Sequence, residues 1–366
     1  MKLYYLANVR LPTEKAHGIQ IMKMCEAFAN QHLDVELIVP NRKTPITDDP
    51  FVYYNVKNNF KIKRLWSFDL VRFGRIGFWV QSITFAEVAT WYLLMRKGLL
   101  YTRDELLAVS LCSIGRRVTW EAHMGQKNLL VKFLTKIGVR FVVISHGLRD
   151  FYISFGVPEN KIHVAPDAVD MGQFSTTVTR KQSRQGLDLP IDQKIVMYIG
   201  LLDEWKGYRV LLNASRYLEK KNIQVVVIGG RHEQIEELKS DYPHVNFLGY
   251  RPYNELPQHQ KAANILVIPN SSETVISSYY TSPLKLFAHM ASGVPIIASD
   301  LPSLREILDD SSAYFFKADD PKDLARIING IFLEPNMAEA KARRAFEKVK
   351  NYSWNKRAEN ILKFIC

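Results

Sequence analysis

Short apolar runs alternate with longer amphipathic stretches along the whole chain, and no other feature constrains the fold as strongly. The runs are continuous, as in a parallel sheet that is covered by helices on both faces. Repeated strand and helix units of this kind predict an α/β fold of the doubly wound type. The predicted strands are 2–7, 34–39, 99–102, 117–122 and 141–145, and then 194–199, 223–228, 245–248, 264–268 and 294–299.

The length predicts two domains, because 366 residues are too many for one hydrophobic core. Residues 171–192 are polar and contain no strand pattern, which indicates a linker. We therefore predict domains at 1–170 and 193–350, followed by a C-terminal segment at 351–366. Ligands of doubly wound sheets bind beyond the carboxyl ends of the strands, so we expect the site in a cleft between the two domains.

Composition excludes several classes of protein. The chain is 47% hydrophobic and 23% charged without a low-complexity tract, which excludes a disordered or fibrous protein. No apolar run approaches the ~20 residues of a membrane-spanning helix. Three scattered cysteines argue against a disulfide framework or a zinc cage. The short apolar start indicates a buried strand rather than a signal peptide, so we expect a cytoplasmic protein.

The net charge of +12 indicates an anionic partner. Residues 1–170 contribute +8 of this charge, from 23 Lys and Arg against 15 Asp and Glu. Nucleic acid, anionic lipid and phosphorylated small molecules are all compatible with such a charge. Nucleic acid is disfavoured, since no recognised binding module is present.

Two strand ends in the second half carry glycines and cations that could hold phosphate. Gly200 permits a tight exit from strand 194–199, and Lys206 lies at a predicted helix start, where free N–H groups favour anions. A surface lysine before a turn glycine explains this spacing equally well. After the next strand, Gly229 and Gly230 precede Arg231, which could bind phosphate or simply follow an ordinary turn. No Gly-x-Gly-x-x-Gly motif occurs, which disfavours a nicotinamide dehydrogenase.

The segment 279–300 is the most informative in the chain. Ser282 and Pro283 predict a helix start, with a capping hydroxyl and a proline in the first helical position. Gly293 ends the predicted helix, and a buried strand follows. A capped packing helix explains these residues but not Lys285, whose position in the first turn favours an anion site.

In the first half, Gly18 opens a helix after the first strand, and His123 follows Glu121 at the end of strand 117–122. Gly18 would let a phosphate or sugar approach the backbone. His123 could contact a hydroxyl group or handle a proton, although a lone histidine is more often structural.

A basic, aromatic segment at 61–97 indicates contact with an anionic membrane surface. Seven Lys and Arg residues alternate there with Trp, Phe and Tyr, against two acidic residues. The alternative is that the aromatic residues form core and the cations are merely solvated.

Several of these motifs resemble glycosyltransferase family 4, whose members are retaining sugar transferases of the GT-B fold. The resemblance rests on Gly200 with 205–207, on 281–287 and on 290–300. Residues 17–20, Glu121 with His123, 167–170 and 352–354 are similar to the first domain, hinge and last helix of that family. The resemblance implies two Rossmann-like domains that face each other across a cleft, with the C-terminal helix returning to the first domain.

The resemblance also implies a function and a set of site residues. A nucleotide-diphosphate sugar would bind mainly to the second domain and an acceptor, either a glycan or a lipid-linked one, to the first. The product would belong to cell-surface polysaccharide or glycolipid synthesis. The implied catalytic residues are His123, Lys206 and Lys285. The implied donor-binding residues are Gly18, Gly200, Arg231, Arg251, Pro252, Ser282, Pro283, Leu284 and Ala288.

No cofactor or metal is implied, since the chain lacks the Asp-x-Asp pair of metal-dependent sugar transferases. The donor nucleotide, whether UDP, GDP or ADP, stays open. A peripheral location at the inner face of the membrane would suit a lipid-linked acceptor.

The chain departs from the family pattern at three positions. Tyr280 and Ala288 stand where the family often has two glutamates, and Leu201 replaces a common arginine. The second glutamate normally accepts the ribose hydroxyls, through hydrogen bonds of roughly 1.5–3 kcal/mol each. Ala288 therefore indicates an impaired or engineered variant, or a catalytically silent scaffold that binds the nucleotide sugar.

Overall fold

A computed structural model of the chain describes residues 1–174, 177–218 and 222–366. The chain folds into two compact units. The first unit comprises Met1–Pro166 with Trp354–Cys366, and the second comprises Asp167–Ser353. The predicted architecture, two Rossmann-like domains with parallel sheets, is confirmed.

The first unit is built on a seven-stranded sheet in which every pair of neighbours is parallel. The strand order is β3-β2-β1-β4-β5-β6-β7, so that β1 lies inside the sheet and the order reverses beside it. The strands are β1 (Lys2–Leu6), β2 (Asp34–Pro40), β3 (Lys61–Leu65), β4 (Leu99–Thr102), β5 (Val118–Ala122), β6 (Arg140–Val143) and β7 (Ile162–Val164).

Helices connect these strands, as parallel pairing requires. They are α1 (Ala16–Asn30), α2 (Pro50–Tyr53), α3 (Gly74–Leu93), α4 (Glu105–Ser113), α5 (Leu129–Lys136) and α6 (His146–Ser154), with 3₁₀ turns at Val71–Phe73 and Glu159–Lys161.

The second unit has a six-stranded parallel sheet in the order β10-β9-β8-β11-β12-β13. Its strands are β8 (Lys194–Ile199), β9 (Ile223–Ile228), β10 (Asn246–Gly249), β11 (Ile265–Ile268), β12 (Ile296–Ser299) and β13 (Tyr314–Phe316). Its helices are α7 (Met171–Phe174), α8 (Arg180–Gln185), α9 (Tyr208–Ser215), α10 (His232–Asp241), α11 (Leu256–Gln260), α12 (Leu284–Ser292), α13 (Pro302–Arg305), α14 (Pro321–Ile331) and α15 (Pro335–Val349). Short turns of 3₁₀ helix occur at Glu204–Lys206 and Tyr253–Glu255, and a π-helical turn at Ile276–Tyr280.

The last helix, α16 (Trp354–Ile365), packs in the first unit rather than the second. The side chain of Asn355 accepts a hydrogen bond from Asn30 of α1 at 3.0 Å. The buried Arg357 donates to the carbonyl oxygens of Ala165 and Pro166, at 3.0 and 2.9 Å. The end of the chain therefore completes the domain with which the chain begins.

The boundary between the units falls at 166/167, so residues 171–192, predicted as a linker, lie within the second unit. Residues 175 and 176 are outside the described residues. The rest of the segment contains α7 and α8. Its buried Arg184 donates to the carbonyl oxygens of Ala262 and Gln193, at 3.0 and 2.9 Å. This polar segment is ordered because the guanidinium group of Arg184 donates hydrogen bonds to buried carbonyl oxygens.

No helix in the described part of the chain has the combination of length and apolar character that crossing a bilayer requires.

Candidate functional site

The carboxyl ends of β8, β9 and β11 lie at one edge of the second sheet, because the three strands are neighbours and parallel. The turn Glu204–Lys206 follows β8 and brings the chain against the segment after β11. Gly207 makes this approach possible: its φ is +66°, and a Cβ atom there would lie 1.7 Å from the carbonyl oxygen of Pro269. Only glycine tolerates both conditions.

Lys206 lies at this edge with an acidic partner from its own turn. Its Nζ is 2.7 Å from the Oδ2 of Asp203, and its side chain is 19% exposed against 49% for the aspartate. The two paired residues are only three positions apart in the chain, so the ion pair keeps Lys206 close to the edge of the sheet. Gly200, which the sequence also placed here, directly follows β8, and its amide donates to the Ile228 carbonyl oxygen at 2.9 Å.

Lys285 lies in the first turn of α12 with its amine buried. Its Nζ has no hydrogen-bond partner among the described residues and lies 4.7 Å from the ring centroid of Tyr198. Burial, and then the nearby charge of Lys206, lower the pKa of Lys285 to about 7, while Asp203 opposes the shift. A buried amine without a partner is costly, so this position favours an incoming anion.

The start of α12 differs from the prediction. The helix begins at Leu284, and Pro283 precedes it in an extended conformation, with ψ of 127°. Ser282 does not cap the helix: its buried hydroxyl accepts a hydrogen bond from the amide of Asp167 at 3.0 Å. The predicted capping role of Ser282 is therefore wrong, because a backbone amide distant in sequence uses that hydroxyl.

The other donor-binding candidates of the second unit follow neighbouring strands. Arg231 is exposed and precedes α10, directly after Gly229 and Gly230. Arg251 is half-buried after β10, with a buried Nε that has no partner within the described residues, and Pro252 is exposed. Both arginines follow a strand in the chain, and their contact with a donor stays a prediction.

Ala288 is buried in an apolar cluster with Phe287, Met290 and Leu286. Tyr280, at the end of the π-helical turn, is half-buried. The structure thus has a methyl group and a phenol at the two positions where the related family often has carboxylates.

Two buried polar residues of the second unit were not among the predicted site residues. His289 is fully buried, and neither ring nitrogen has a partner among the described residues. Burial, and then the charge of Lys285, lower its pKa to about 3. Asn270, two residues after β11, is also fully buried with its amide group unpartnered in the described part of the chain. The spacing of four residues between Lys285 and His289, one helical turn, is the signal that could have identified His289.

In the first unit, His123 is held by Glu121 at the end of β5. The Nε2 of His123 lies 2.8 Å from the Oε1 of Glu121. That same oxygen accepts hydrogen bonds from Gln20 at 2.8 Å and from Arg357 at 2.7 Å, and Tyr101 donates to the other carboxylate oxygen at 2.5 Å. The sequence predicted the pair but not the donors, which come from α1, β4 and α16.

These contacts set the charges of the pair. Burial by itself would raise the pKa of Glu121, but the Arg357 guanidinium and His123 hold it well below its usual range. Burial, and then the charge of Arg103, lower the pKa of His123 to about 4, although Glu121 opposes the shift. At neutral pH, Glu121 is therefore a carboxylate and His123 is uncharged, with its Nε2 proton directed at Glu121.

Gly18 lies near the start of α1 and is buried. A Cβ atom there would lie 2.3 Å from the hydroxyl oxygen of Tyr54, which also donates to the Thr13 carbonyl oxygen at 2.8 Å. The packing of Tyr54 thus accounts for a glycine at this position.

Helix α3 buries Phe85 and Leu93, but several other large apolar side chains of this helix and of the segment before it are exposed. Gln81 and Ser82 are buried and bond to Asn8 at 2.9 Å each, whereas Ile76 is 79% and Trp79 is 50% exposed. We call the following residues the aromatic surface: Trp66, Phe68, Phe73, Ile76, Phe78, Trp79 and Ile83. Arg72 and Arg75 are exposed within the same stretch of chain.

Comparisons with known proteins agree with this architecture. Residues 193–333 match the model of a family described as glycosyl transferases group 1. The D-inositol 3-phosphate glycosyltransferase of Corynebacterium kroppenstedtii is 28% identical over 221 residues, which cover 56% of this chain and 47% of that protein. An uncharacterised glycosyltransferase of Methanocaldococcus jannaschii is 24% identical over 233 residues, 60% of this chain and 58% of that one. The chain spans about half the length of the curated relatives it matches.

Solved structures resemble the whole chain at low sequence identity. Sucrose-phosphate synthase from Thermosynechococcus elongatus has a TM-score of 0.80 at 19% identity, with 100% of this chain and 98% of that chain covered. HepE of Anabaena, solved in complex with UDP and glucose, has a TM-score of 0.79 at 13% identity, with 100% and 99% covered. The match over 193–333 confirms the resemblance to glycosyltransferases, the fold is confirmed over the full length, and assignment to family 4 stays a prediction.

Proposed function

We propose that this chain is a retaining hexosyltransferase that transfers sugar from a nucleotide-diphosphate donor to a glycan or a lipid-linked acceptor. The observation that carries the proposal is the buried Nζ of Lys285, which has no partner among the described residues and senses the charge of Lys206. Two neighbouring cations beyond the carboxyl end of β8 suit a diphosphate. The match of 193–333 to group 1 glycosyltransferases supports the same assignment.

The chemistry required of these residues is stabilisation of the leaving group. As the bond between the sugar and the diphosphate breaks, negative charge accumulates on the phosphate oxygens. Lys206 and Lys285 would stabilise this charge in a site that excludes water. The anomeric configuration of the sugar is retained most simply if the acceptor attacks from the same face that the diphosphate leaves, without a protein nucleophile. Metal independence belongs to the same proposal.

The remaining site residues would position the donor. Arg231 and Leu284 would contact the diphosphate, and Arg251 with Pro252 would lie near the base. His123, uncharged and oriented by Glu121, would accept a hydrogen bond from a sugar hydroxyl at its Nδ1. Gly18 would lie near the distal phosphate.

Thermal shift with a panel of UDP, GDP and ADP sugars tests donor binding. UDP sugars come first, since HepE was solved with UDP. We expect one donor to raise Tm and Lys285→Ala to abolish the rise, while the exposed Lys322→Ala leaves it unchanged. If no donor raises the Tm of the wild-type chain, the proposal is overturned.

Release of nucleoside diphosphate then separates an enzyme from a scaffold. Turnover with an acceptor extract, an α-linked product from an α-linked donor by NMR, and full activity in EDTA would support the proposal. Binding without turnover would favour the catalytically silent scaffold, which the absence of a carboxylate at Ala288 also suggests.

The ribose contact is tested by Ala288→Glu. A glutamate there would supply two acceptors for the ribose hydroxyls, so we expect tighter donor binding together with some loss of stability in the free protein, because Ala288 is buried. An unchanged donor Kd would remove position 288 from the ribose site.

The aromatic surface supports association with an anionic membrane. Large apolar side chains beside exposed arginines suit the interface of a bilayer, where each cation contributes about 1 kcal/mol. We expect flotation with phosphatidylserine-containing vesicles at low salt, and its loss in Ile76→Glu/Trp79→Glu. Lys132→Gln/Lys136→Gln, on the exposed face of α5, changes the net charge by the same amount and controls for it. Failure of the wild-type chain to float would exclude this interaction.

A further inference from the structure

A groove of about 780 Å³ follows strand β3, which forms one end of the seven-stranded sheet. Four consecutive residues of the strand, 61–64, line the groove. Successive side chains of a strand point to opposite faces of a sheet, so these four residues do not lie on one face. What they have in common is their position on the edge strand. The groove therefore runs along the open edge of the sheet and covers neither face alone.

Aromatic side chains bound this edge. Phe51 and Phe60 line the groove with ring centroids 4.9 Å apart. Tyr92 of α3 lines it as well, and the Nζ of Lys63 lies 5.8 Å from its ring centroid. The edge of β3 is thus recessed among aromatic side chains.

Of the two carboxylates that line the groove, Glu36 is paired with a cation, whereas Asp49 bonds to neutral backbone groups. Glu36 accepts a hydrogen bond from the Tyr92 hydroxyl at 2.6 Å and lies 3.0 Å from the Nζ of Lys2. Asp49 accepts from the amide of Phe51 at 2.9 Å, at the start of α2.

The cations of the groove lack such compensation. Lys61 and Lys63 form no ion pair with any described residue, and both are exposed. Arg64 donates only to a neutral group within the described chain, the carbonyl oxygen of Leu11, at 2.9 Å. Because Glu36 is paired with Lys2, three cations of the groove face one carboxylate without an ion pair in the described chain, Asp49, and the groove has a net positive charge.

We propose that the β3 edge binds an extended acidic segment of a partner protein as an added strand. Backbone hydrogen bonds would pair the segment with β3. Lys61 and Lys63 lie on one face and Ile62 on the other, so the partner would carry acidic side chains at alternate positions with apolar ones between them. A second copy of this chain is a poor partner, because its own lysines would meet these lysines.

Fluorescence anisotropy of a labelled peptide, Glu-Val-Glu-Val-Glu, with the full chain at low salt tests the proposal. We expect binding that Lys61→Glu/Lys63→Glu weakens by about tenfold or more. Lys132→Glu/Lys136→Glu makes the same charge change elsewhere in the unit and should leave the affinity unaltered. The isomer Glu-Glu-Val-Val-Glu should bind more weakly, because its charges do not alternate.

Two N-methylated versions of the peptide distinguish strand addition from simple charge attraction. One version carries methyl groups on the odd amides and the other on the even amides. An added strand uses alternate N–H groups toward its neighbour, so only one version should lose affinity. Equal binding of both versions, equal binding by the Lys61 and Lys63 variant, or no binding at all would overturn the proposal. Concentration-dependent dimerisation that requires Lys61 and Lys63 would overturn it in favour of a second copy.

Discussion

At the scale of single residues, the position of Lys285 combines burial with the absence of a partner in the described chain. A lysine in that state destabilises the free protein, since part of its charge is lost to a lowered pKa and the rest is poorly solvated. Such a residue is typical of a binding site that stays incomplete until its ligand arrives.

Replacing the amine should therefore stabilise the free protein. The pKa of Lys285 is about 7 in the folded chain, against an ordinary value of 10.5. Between these pH values the unfolded chain binds more protons, so the stability of the wild type rises with pH. Lys285→Met lacks this rise, and its Tm should exceed that of the wild type by more at pH 7 than at pH 9.5. Parallel thermal melts check this, and an equal difference at both pH values would contradict the low pKa.

Donor binding should also take up a proton. A diphosphate next to Lys285 favours the charged amine, which is largely neutral at pH 8 in the free protein. Titration calorimetry with UDP in buffers of different ionisation enthalpy should show uptake of up to one proton, and Lys285→Met should show much less. Binding at pH 8 without proton uptake would place the diphosphate away from this lysine.

At the scale of elements, helix α16 supplies Arg357, the positive charge that pairs with the buried carboxylate of Glu121. Arg357 is the only residue of this helix that bonds to Glu121 in the described structure. Removing one partner of a buried ion pair costs about 3–5 kcal/mol, because it leaves the other charge buried alone. The C-terminal helix therefore helps to orient His123 through Glu121.

Arg357→Met should lower the free energy of unfolding by about 3–5 kcal/mol at pH 8. The pKa of Glu121 is low in the wild type, and its contribution to stability is lost only as pH falls through that value. Without the guanidinium, burial raises the pKa of Glu121 in the folded state, so the loss should be smaller at pH 5. Urea unfolding at both pH values measures this. Lys363→Met, which removes an exposed ion pair with Glu359, should leave the free energy of unfolding nearly unchanged at either pH.

The strands that the sequence analysis missed are β3, β7 and β13, and each lies at an end of its sheet. Strand β3 reads Lys-Ile-Lys-Arg-Leu, with three exposed cations. An edge strand is buried less than a central one and commonly carries charges that prevent aggregation. Its sequence therefore lacks the continuous apolar run by which the central strands were identified.

At the scale of the whole molecule, the first unit is formed by two segments that are far apart in sequence, Met1–Pro166 and Trp354–Cys366. Truncation after Ser353 should consequently destabilise the first unit and spare the second. We expect faster hydrogen exchange in α1 and β5 and unchanged exchange in β8, β9 and β11, measured by mass spectrometry. Faster exchange confined to the second unit would contradict the assignment of α16.

The sequence by itself determined the α/β architecture, the central strands, the resemblance to glycosyltransferases, and the place of Lys206 after a strand and of Lys285 at a helix start. These features are local, because apolar periodicity and short motifs are set by neighbouring residues. The tertiary structure decided that the hydroxyl of Ser282 accepts a hydrogen bond from the amide of Asp167 and that Arg357 donates to Glu121 beside His123. It also decided that the amine of Lys285 is buried without a hydrogen-bond partner in the described chain. Each of these depends on contacts between residues far apart in sequence or on the depth of burial, and no local pattern encodes either of them.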